Sequence, residues 1–390
     1  MKFLFWLSLA GIVYTYLGYP AILWIVARVR PRAWQKAPIH PSVSIVLAVR
    51  NGLPLLEHRI QQLIGLDYPN IQEIIIVSDG STDGTAEFLA AQSHPQLRAL
   101  ILQEHGGKAT AVNAGIGRAT AELIVFVDLR PEIAPGALQQ LVSNFADPTI
   151  GCVAGEYVLA QDNQTDGSAS VGRAYWLYEQ WLRNTEARID SVVGVPGCFF
   201  AVRRALATQQ PAGIILDDMF QPLSVIRKGY RCVVDPQALV VDKWPKKIEG
   251  EFRRKVRTLA GNFQLVALAP WILSFQNRVL FQFFSHKVMR LIVPYLIVLL
   301  LLSSAFLARG SAFFATLAVA QVSIWALAIV GGRYKIPLLH RIAGPANALL
   351  VLNAAAIVGL YKFLFTRGPL WKIWTTGKAT DAPLPRSRTV

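Results

Sequence analysis

A short apolar run that ends in an acidic turn constrains the fold of this chain most. Ile74 to Val77 are four consecutive β-favouring residues, and a polar, glycine-containing turn at 78–83 follows before a helical pattern begins. Apolar runs of this length are typical of strands buried on both faces of a sheet. Open α/β sheets bind ligands at the carboxyl ends of their strands, where Asp79 and Asp83 stand. On this stretch alone, an ordinary turn in which Ser81 or Asp83 caps the next helix is an equal alternative.

Similar apolar runs and helical patterns alternate through the middle of the chain. The sequence predicts further strands at 43–49, 97–102, 123–127, 151–159 and 232–241. It predicts helices at 55–66, 135–145, 175–188 and 219–228, another that ends near 92, and a polar loop at 161–172. This alternation implies an α/β fold with a mostly parallel, Rossmann-like sheet.

Both ends of the chain are apolar and poor in charge. Only 16% of the 390 residues are charged, against roughly a quarter in soluble domains. Residues 3–29 are long enough to cross a bilayer, and a basic amphipathic helix at 251–268 should lie in the membrane interface. Three more candidate spans follow at 288–307, 312–330 and 345–365. We therefore expect an anchor at 1–36, an α/β domain at 37–250, interfacial helices at 251–285, membrane helices at 286–368 and a tail at 369–390.

Basic residues beside the spans predict their orientation. The first span is followed by four cations, Arg28, Arg30, Arg32 and Lys36. Positive flanks usually face the cytosol, so the α/β domain should be cytosolic. Three crossings after that domain would leave the end of the chain outside. This conflicts with the cations near that end, which are Lys362, Arg367, Lys372 and Lys378. Either one of these spans does not cross completely or the first span is misread.

The net charge limits the classes of binding partner, and the cysteines indicate the redox compartment. The net charge is +15, which suits nucleic acid, an anionic membrane surface or phosphate-bearing substrates. No zinc-finger, helix-turn-helix or RNA-binding signature is present in the sequence, so we expect no nucleic-acid partner. The three cysteines, Cys152, Cys198 and Cys232, are far apart and suit no metal site. We expect small buried thiols in a reducing compartment.

Three further motifs bear charges at predicted turns. Gly106-Gly107-Lys108 precedes a helix, and its backbone N–H groups and ammonium suit an anion. It is not a P-loop, because the spacing and the following Ser or Thr are missing. Asp128 and Arg130 follow the strand at 123–127. Asp217 and Asp218 open a helix, where acidic residues also stabilise the helix dipole without further function.

Taken together, the motifs from about 42 to 264 resemble the family 2 glycosyltransferases of the GT-A fold. The most similar group is the membrane-bound cellulose, chitin, hyaluronan and poly-N-acetylglucosamine synthases. The resemblance implies an inverting transfer of sugar from a nucleotide-sugar, which we expect to be UDP-linked. It implies a lipid-linked sugar or polysaccharide acceptor, a bacterial-type inner membrane and polysaccharide-export subunits as partners.

The resemblance assigns the donor side of the site. It places the nucleotide base and ribose beside Asp79 and the end of the first strand at Asn51, where the usual Glu is Gly52. It places the diphosphate beside Lys108 and Asn113.

The resemblance also assigns a metal position and a second pair of cations. Asp128 would hold Mg²⁺ or Mn²⁺, but the second Asp of the family's Asp-x-Asp is Arg130 in this chain. Arg130 could instead neutralise the leaving group directly. Arg254 and Arg257 share one helix face and would bind the diphosphate, while the usual Trp after them is Thr258.

The resemblance assigns the acceptor side as well. Asp218 would be the general base for the acceptor hydroxyl, with Asp217 beside it. Gly197, Cys198 and Phe199 would form the acceptor-side loop.

Three other functions are open alternatives. A polyprenyl-phosphate sugar synthase would use a phosphate acceptor that needs no strong base. A catalytically silent membrane scaffold would explain the departures at Gly52, Arg130 and Thr258. A membrane transport protein fits less well, because the spans lack internal charges and the α/β domain is large.

Overall fold

The computed structural model describes residues 1–160, 168–243, 248–333 and 337–374. Its centre is a sheet of eight strands in the order β3-β2-β1-β4-β7-β6-β8-β5. The strands are β1 Val43–Val49, β2 Ile71–Asp79, β3 Leu97–Leu102, β4 Leu123–Val127, β5 Glu132–Ile133, β6 Ile150–Ala160, β7 Phe199–Arg203 and β8 Arg231–Lys243. Strands β1 to β4 pair in parallel, and β7 joins this half antiparallel to β4.

The predicted α/β class is confirmed, and the ranges of β1, β3 and β4 agree with the prediction residue for residue. β1 and β4 are buried strands in the interior of the sheet, whereas β3 is a partly exposed strand at its edge. β5 and β7 were not predicted. β7 pairs antiparallel with both β4 and β6, while β6 and β8 pair in parallel. The sheet is therefore parallel in four of its seven pairings.

Helices connect and cover the strands. In chain order they are α1 Lys2–Val13, α2 Tyr19–Val29, α3 Leu53–Ile64, α4 Thr85–Ala90, α5 Lys108–Arg118, α6 Ala137–Ser143, α7 Ser168–Ile189, α8 Asp217–Arg227, α9 Ile248–Leu268, α10 Leu280–Phe283, α11 Met289–Leu307, α12 Ala312–Arg333 and α13 Pro337–Phe365. Part of the predicted loop at 161–172 is wrong, because α7 already begins at Ser168. The rest of that loop, 161–167, lies outside the described residues.

Four helical segments are long and apolar enough to cross a membrane, as predicted. They are Lys2–Val29, Leu280–Gly310, Ala312–Gly331 and Ala346–Phe365. The first joins α1 and α2 through a π-helical turn at Tyr14–Gly18, and another π-helical turn at Phe284–Val288 joins α10 to α11. Within the described ranges the three cysteines are free thiols, and all three are buried, as expected.

Buried polar groups fasten two of these membrane segments to the α/β domain. Glu186 of α7 accepts a hydrogen bond from the Tyr19 hydroxyl at 2.7 Å and lies 2.7 Å from His286. Glu179 lies about two helical turns before Glu186, on the same face of α7. It contacts His286 and forms an ion pair with Arg290. Buried charges are tolerated only when they are paired, so these contacts hold the segments at set positions on α7.

The last membrane helix returns the chain to the α/β domain. Phe363 of α13 stacks on Phe263 of α9 with ring centroids 6.0 Å apart, and Gly359 lets the two backbones approach closely. After α13, Leu370 is buried in the main core of the domain. Three complete crossings would have placed Leu370 on the opposite side of the membrane, so that expectation is wrong. The alternative that one span does not cross completely agrees with this packing. The remainder of the predicted tail, 375–390, lies outside the described residues.

Candidate active site

Lys108 stands where three elements of the fold meet. It is the first residue of α5, and its Nζ lies 3.2 Å from Asp128 Oδ1 at the end of β4. The same Nζ lies 3.1 Å from Asp217 Oδ2 at the start of α8. Burial lowers the pKa of Lys108, but the carboxylates of Asp128 and Asp217 raise it more, so the net pKa lies above its usual value. The ammonium therefore keeps its charge at physiological pH.

Asp218 is the third carboxylate of this group, and it has a buried oxygen without a partner in the described part of the chain. Its Oδ1 is buried and has no hydrogen-bond partner among the described residues. Burial and the neighbouring Asp217 carboxylate raise the pKa of Asp218 to about 7, although Lys108 and Lys287 oppose the shift. A carboxyl group with a pKa near neutrality and an unused oxygen is suited to accept a proton.

The predicted acceptor-side loop packs directly against Asp218. The amide of Val195 donates a hydrogen bond to the Asp218 carbonyl at 3.0 Å, and the Asp128 amide donates to the Cys198 carbonyl at 3.1 Å. Gly197 leaves the space that Asp218 needs, because a Cβ at 197 would lie 2.9 Å from the Asp218 Cβ. Burial raises the pKa of the Cys198 thiol, which therefore stays protonated, and Phe199 is fully buried in the core.

Asp79 organises the glycine turn, which we define as residues 105–108. Its carboxylate is buried and accepts hydrogen bonds from the amides of Gly106 at 2.8 Å and Gly107 at 2.9 Å. It also lies 2.7 Å from His105 Nδ1. These contacts shape the turn, and the contact of Asp79 with the nucleotide base stays a prediction.

The other donor-side residues with amide side chains also shape local structure. Asn51 adopts a left-handed backbone with φ of 51° and accepts a hydrogen bond from the Thr82 amide at 2.8 Å. Asn113 bonds both backbone groups of Gln210, donating at 2.9 Å and accepting at 2.7 Å. Asp83 accepts hydrogen bonds from the amides of Thr85 and Leu53, the first residues of α4 and α3, although the N-cap residue of α4 is Gly84.

The arginines are not brought to the carboxylate cluster. Arg130 is 61% exposed and its guanidinium lies 3.4 Å from Asp242 at the rim. Arg254 and Arg257 are exposed on α9, and neither forms a hydrogen bond or ion pair within the described ranges. Their role in diphosphate binding stays a prediction.

The described residues do not fit the divalent cation that the resemblance implies. Within 1–160, 168–243, 248–333 and 337–374, no group of three or more His, Cys, Asp or Glu side chains could hold a metal ion. Asp128 is paired with Lys108, and Arg130 adds positive charge two residues further on. Hard cations are bound through several oxygen ligands, whereas Lys108 already supplies the positive charge between Asp128 and Asp217.

Sequence analysis missed Trp371, which lies against the glycine turn. Its indole meets the backbone of Gly107 and that of Gly213, and its ring centroid lies 4.5 Å from that of His105. No local pattern marks this contact, because the partners lie at opposite ends of the domain sequence. The only available signal was the pair of glycines, Gly107 and Gly213. Their contact with an indole becomes evident only in the three-dimensional structure.

Known proteins share this arrangement of elements. Residues 44–209 match the family model described as glycosyl transferase family 2. The N-acetylglucosaminyltransferase of Rhizobium meliloti (strain 1021) is 26% identical over 244 residues, which cover 59% of this chain and 57% of that protein. The poly-beta-1,6-N-acetyl-D-glucosamine synthase of Staphylococcus aureus (strain COL) is 24% identical over 230 residues, which cover 58% of this chain and 55% of that protein. The chain therefore spans little more than half the length of these relatives.

A solved structure shows the same fold over nearly the whole chain. The mannosyltransferase PcManGT from Pyrobaculum calidifontis, in complex with GDP-Man and Mn2+, matches with a TM-score of 0.70 and 23% identity. The match covers 94% of this chain and 100% of that one. The resemblance seen in the sequence motifs is thus confirmed at the level of family and fold. Residues 44–209 thus match a family 2 glycosyltransferase domain, the chain has the GT-A fold, and four of its helices are long enough to span a membrane.

Proposed function

We propose that this protein is a membrane-anchored, inverting glycosyltransferase that uses a UDP-linked sugar. The acceptor is a hydroxyl group of a lipid-linked sugar or a growing polysaccharide at the membrane face. The proposal depends chiefly on one observation, the unpartnered Asp218 Oδ1 beside two carboxylates that Lys108 bridges. Asp218 is therefore the residue that we assign as the general base.

The reaction follows from this division of charge. Asp218 removes the proton from the acceptor hydroxyl while the oxygen attacks the anomeric carbon of the donor. The bond from that carbon to the diphosphate oxygen breaks on the opposite face, so the configuration inverts. Lys108, held between Asp128 and Asp217, stabilises the negative charge that develops on the departing diphosphate. The Lys108 ammonium thus supplies the positive charge that the resemblance assigns to a metal ion beside the diphosphate.

The structure of the base favours sugar hydroxyls over phosphate as acceptors. A phosphate acceptor is already ionised and needs no base, so a polyprenyl-phosphate sugar synthase would have no use for the raised pKa of Asp218. A silent scaffold would equally have no reason to keep a buried carboxyl oxygen unpaired, because such groups destabilise a fold.

The names of the relatives support the choice of donor and acceptor. One is named an N-acetylglucosaminyltransferase and another a poly-beta-1,6-N-acetyl-D-glucosamine synthase. We extend this chemistry to the present chain as part of the proposal, with a UDP-linked N-acetylhexosamine as the first donor to test.

The test uses membranes that carry the full chain. A panel of UDP- and GDP-linked sugars is incubated with them, and release of the nucleoside diphosphate is measured with and without added oligosaccharide. We expect release from at least one UDP-sugar, lowered by about a hundredfold or more in Asp218→Asn. Release that is absent for every donor, or equal in the variant, would refute the proposal.

A further inference from the structure

Trp371 lies between two turns that lead directly into the active site. One is the glycine turn, which ends at Lys108. The other is the turn at 211–214, closed by a hydrogen bond from the Ile214 amide to the Pro211 carbonyl at 3.2 Å. The second turn ends three residues before Asp217 and Asp218. A single indole therefore contacts the supports of both the cation and the base.

Both contact points are glycines in a conformation that other residues rarely adopt. Gly107 and Gly213 have φ of 89° and 73°, a conformation that glycine adopts far more readily than other residues. A Cβ at 107 would lie 3.2 Å from the indole Cδ2, and a Cβ at 213 would lie 2.9 Å from the indole Cδ1. Each turn thus leaves little room for a side chain between its backbone and the indole.

The indole also covers the group that shapes the glycine turn. Its ring meets the imidazole of His105 edge-on, at an interplanar angle of 80°. His105 in turn lies 2.7 Å from the Asp79 carboxylate that holds the amides of Gly106 and Gly107. Removing the indole would open the outer side of this hydrogen-bonded assembly to water.

The last membrane helix fixes the position of Trp371. We define the C-terminal strap as Leu370–Trp374, which follows α13 after a short linker. α13 packs on α9, where a Cβ at Gly359 would lie 2.9 Å from the Ala260 amide nitrogen. Gln264 of α9 donates to the Gly213 carbonyl at 2.9 Å and accepts from the Ile215 amide at 3.0 Å. The helix pair and the strap therefore hold the same turn from two sides.

We propose that Trp371 is a positioning residue for the glycosyl transfer, which sets the glycine turn and the 211–214 turn so that Lys108 and Asp217–Asp218 meet. This inference rests on the proposed function for its effect on donor binding. It makes the last membrane helix a working part of the active site, because the strap reaches the two turns only while α13 is packed on α9.

The first test needs no nucleotide. Hydrogen exchange is followed in the full-length protein in detergent, for a peptide that spans 103–112. In Trp371→Ala we expect its amides to exchange about tenfold faster, because the turn loses its outer wall. The matched control is Trp34→Ala, which removes an equally large, partly buried ring that donates to Asn144 far from the site. Exchange of this peptide that is unchanged in Trp371→Ala would overturn the inference.

The second test separates positioning from mere stability. UDP is titrated against both variants and Trp371→Phe, and donor and acceptor KM are compared. We expect UDP affinity to fall about tenfold in Trp371→Ala, with donor KM rising and acceptor KM unchanged, and a recovery to within about threefold in Trp371→Phe. Faster exchange with unaltered UDP affinity would show a structural role only and overturn the inference. If UDP fails to bind the unmutated protein, the proposed function falls, while the exchange result still decides the role of Trp371 in the turn.

Discussion

Asp218→Asn should abolish transfer and, at the same time, stabilise the protein. The substitution is nearly isosteric and removes the proposed proton acceptor, so we expect transfer to fall by about a hundredfold or more. It also removes a carboxyl group whose charged form the fold disfavours. Burial and Asp217 raise the pKa of Asp218 from 3.8 to about 7. Below pH 4 the carboxyl is neutral in the folded and the unfolded protein, and its charge has no effect on stability there.

The size of the stabilisation follows from the same shift. As the pH rises from about 4 to 7, the unfolded chain ionises Asp218 freely while the folded protein keeps it protonated, so stability is lost across this range. A difference of about three pH units corresponds to at most about 4 kcal/mol, reached above pH 7. Asn carries no such charge. The gain in the free energy of unfolding should therefore be small at pH 5 and largest at pH 8.

The assay combines thermal unfolding in detergent at several pH values with donor turnover. The matched control is Asp235→Asn, a buried carboxylate whose partner Lys36 lies 2.7 Å away. This control removes a satisfied charge, so it should lower the unfolding temperature and leave turnover unchanged. An Asp218→Asn protein that unfolds at lower temperature at every pH, or that keeps its turnover, would contradict the reasoning.

Four further predictions follow from the site and the strap. Lys108→Met should weaken UDP binding by about tenfold or more and raise the apparent pKa of the rate profile, because one opposing cation is lost. Asp79→Ala should lower UDP affinity by roughly 1–3 kcal/mol, because the amides of the glycine turn lose their acceptor. Turnover should survive in EDTA, and Arg130→Ala should change it by less than about threefold, because the side chain is a rim residue. A cysteine at the end of the chain should react with impermeant reagents from the same side of the membrane as one on α3.

Each of these predictions has a control that distinguishes the expected effect from a general loss of folding. Lys108→Arg keeps the charge and should restore part of the affinity, and Asp79→Asn keeps one acceptor oxygen. Loss of turnover in EDTA that Mn²⁺ restores would show that a metal ion, and not Lys108, carries the charge. Labelling of the chain end from the side opposite α3 would contradict the packing of Leu370 in the domain core.

Local patterns predicted the parts of this fold whose cause is local. The runs that became β1, β3 and β4 are mostly apolar, with Ser44 in β1 and Arg98 in β3 as the only polar residues. The resemblance, and not a local pattern, placed Lys108 and Asp128 in one site, where they lie 3.2 Å apart. That Asp217 joins them was expected from the resemblance and agrees with the ion pair at 3.1 Å.

Other features depend on partners that are distant in sequence. β7 pairs with both β4 and β6, and only these neighbours identify its residues as a strand. The nucleotide contact of Asp79 stays a prediction, while its contacts with the glycine turn have no signal in the local sequence. Trp371 reaches that turn from beyond the last membrane helix. Local sequence patterns do not predict such contacts, because neither partner has a distinctive pattern in its own stretch of sequence.

The departures from the family motif belong to one rearranged edge of the sheet. Gly52 replaces the usual Glu, and a Cβ at 52 would lie 2.6 Å from Cδ2 of Leu129 and 2.4 Å from Cγ2 of Val49. Leu129 therefore fills the space that a longer residue at 52 would need, and it sits between Asp128 and Arg130. With the Glu gone and Arg130 held at the rim by Asp242, the positive charge at this edge comes from Lys108. Gly52 and Arg130 are thus consistent with a site that depends on its own ammonium, and they need not indicate lost catalysis.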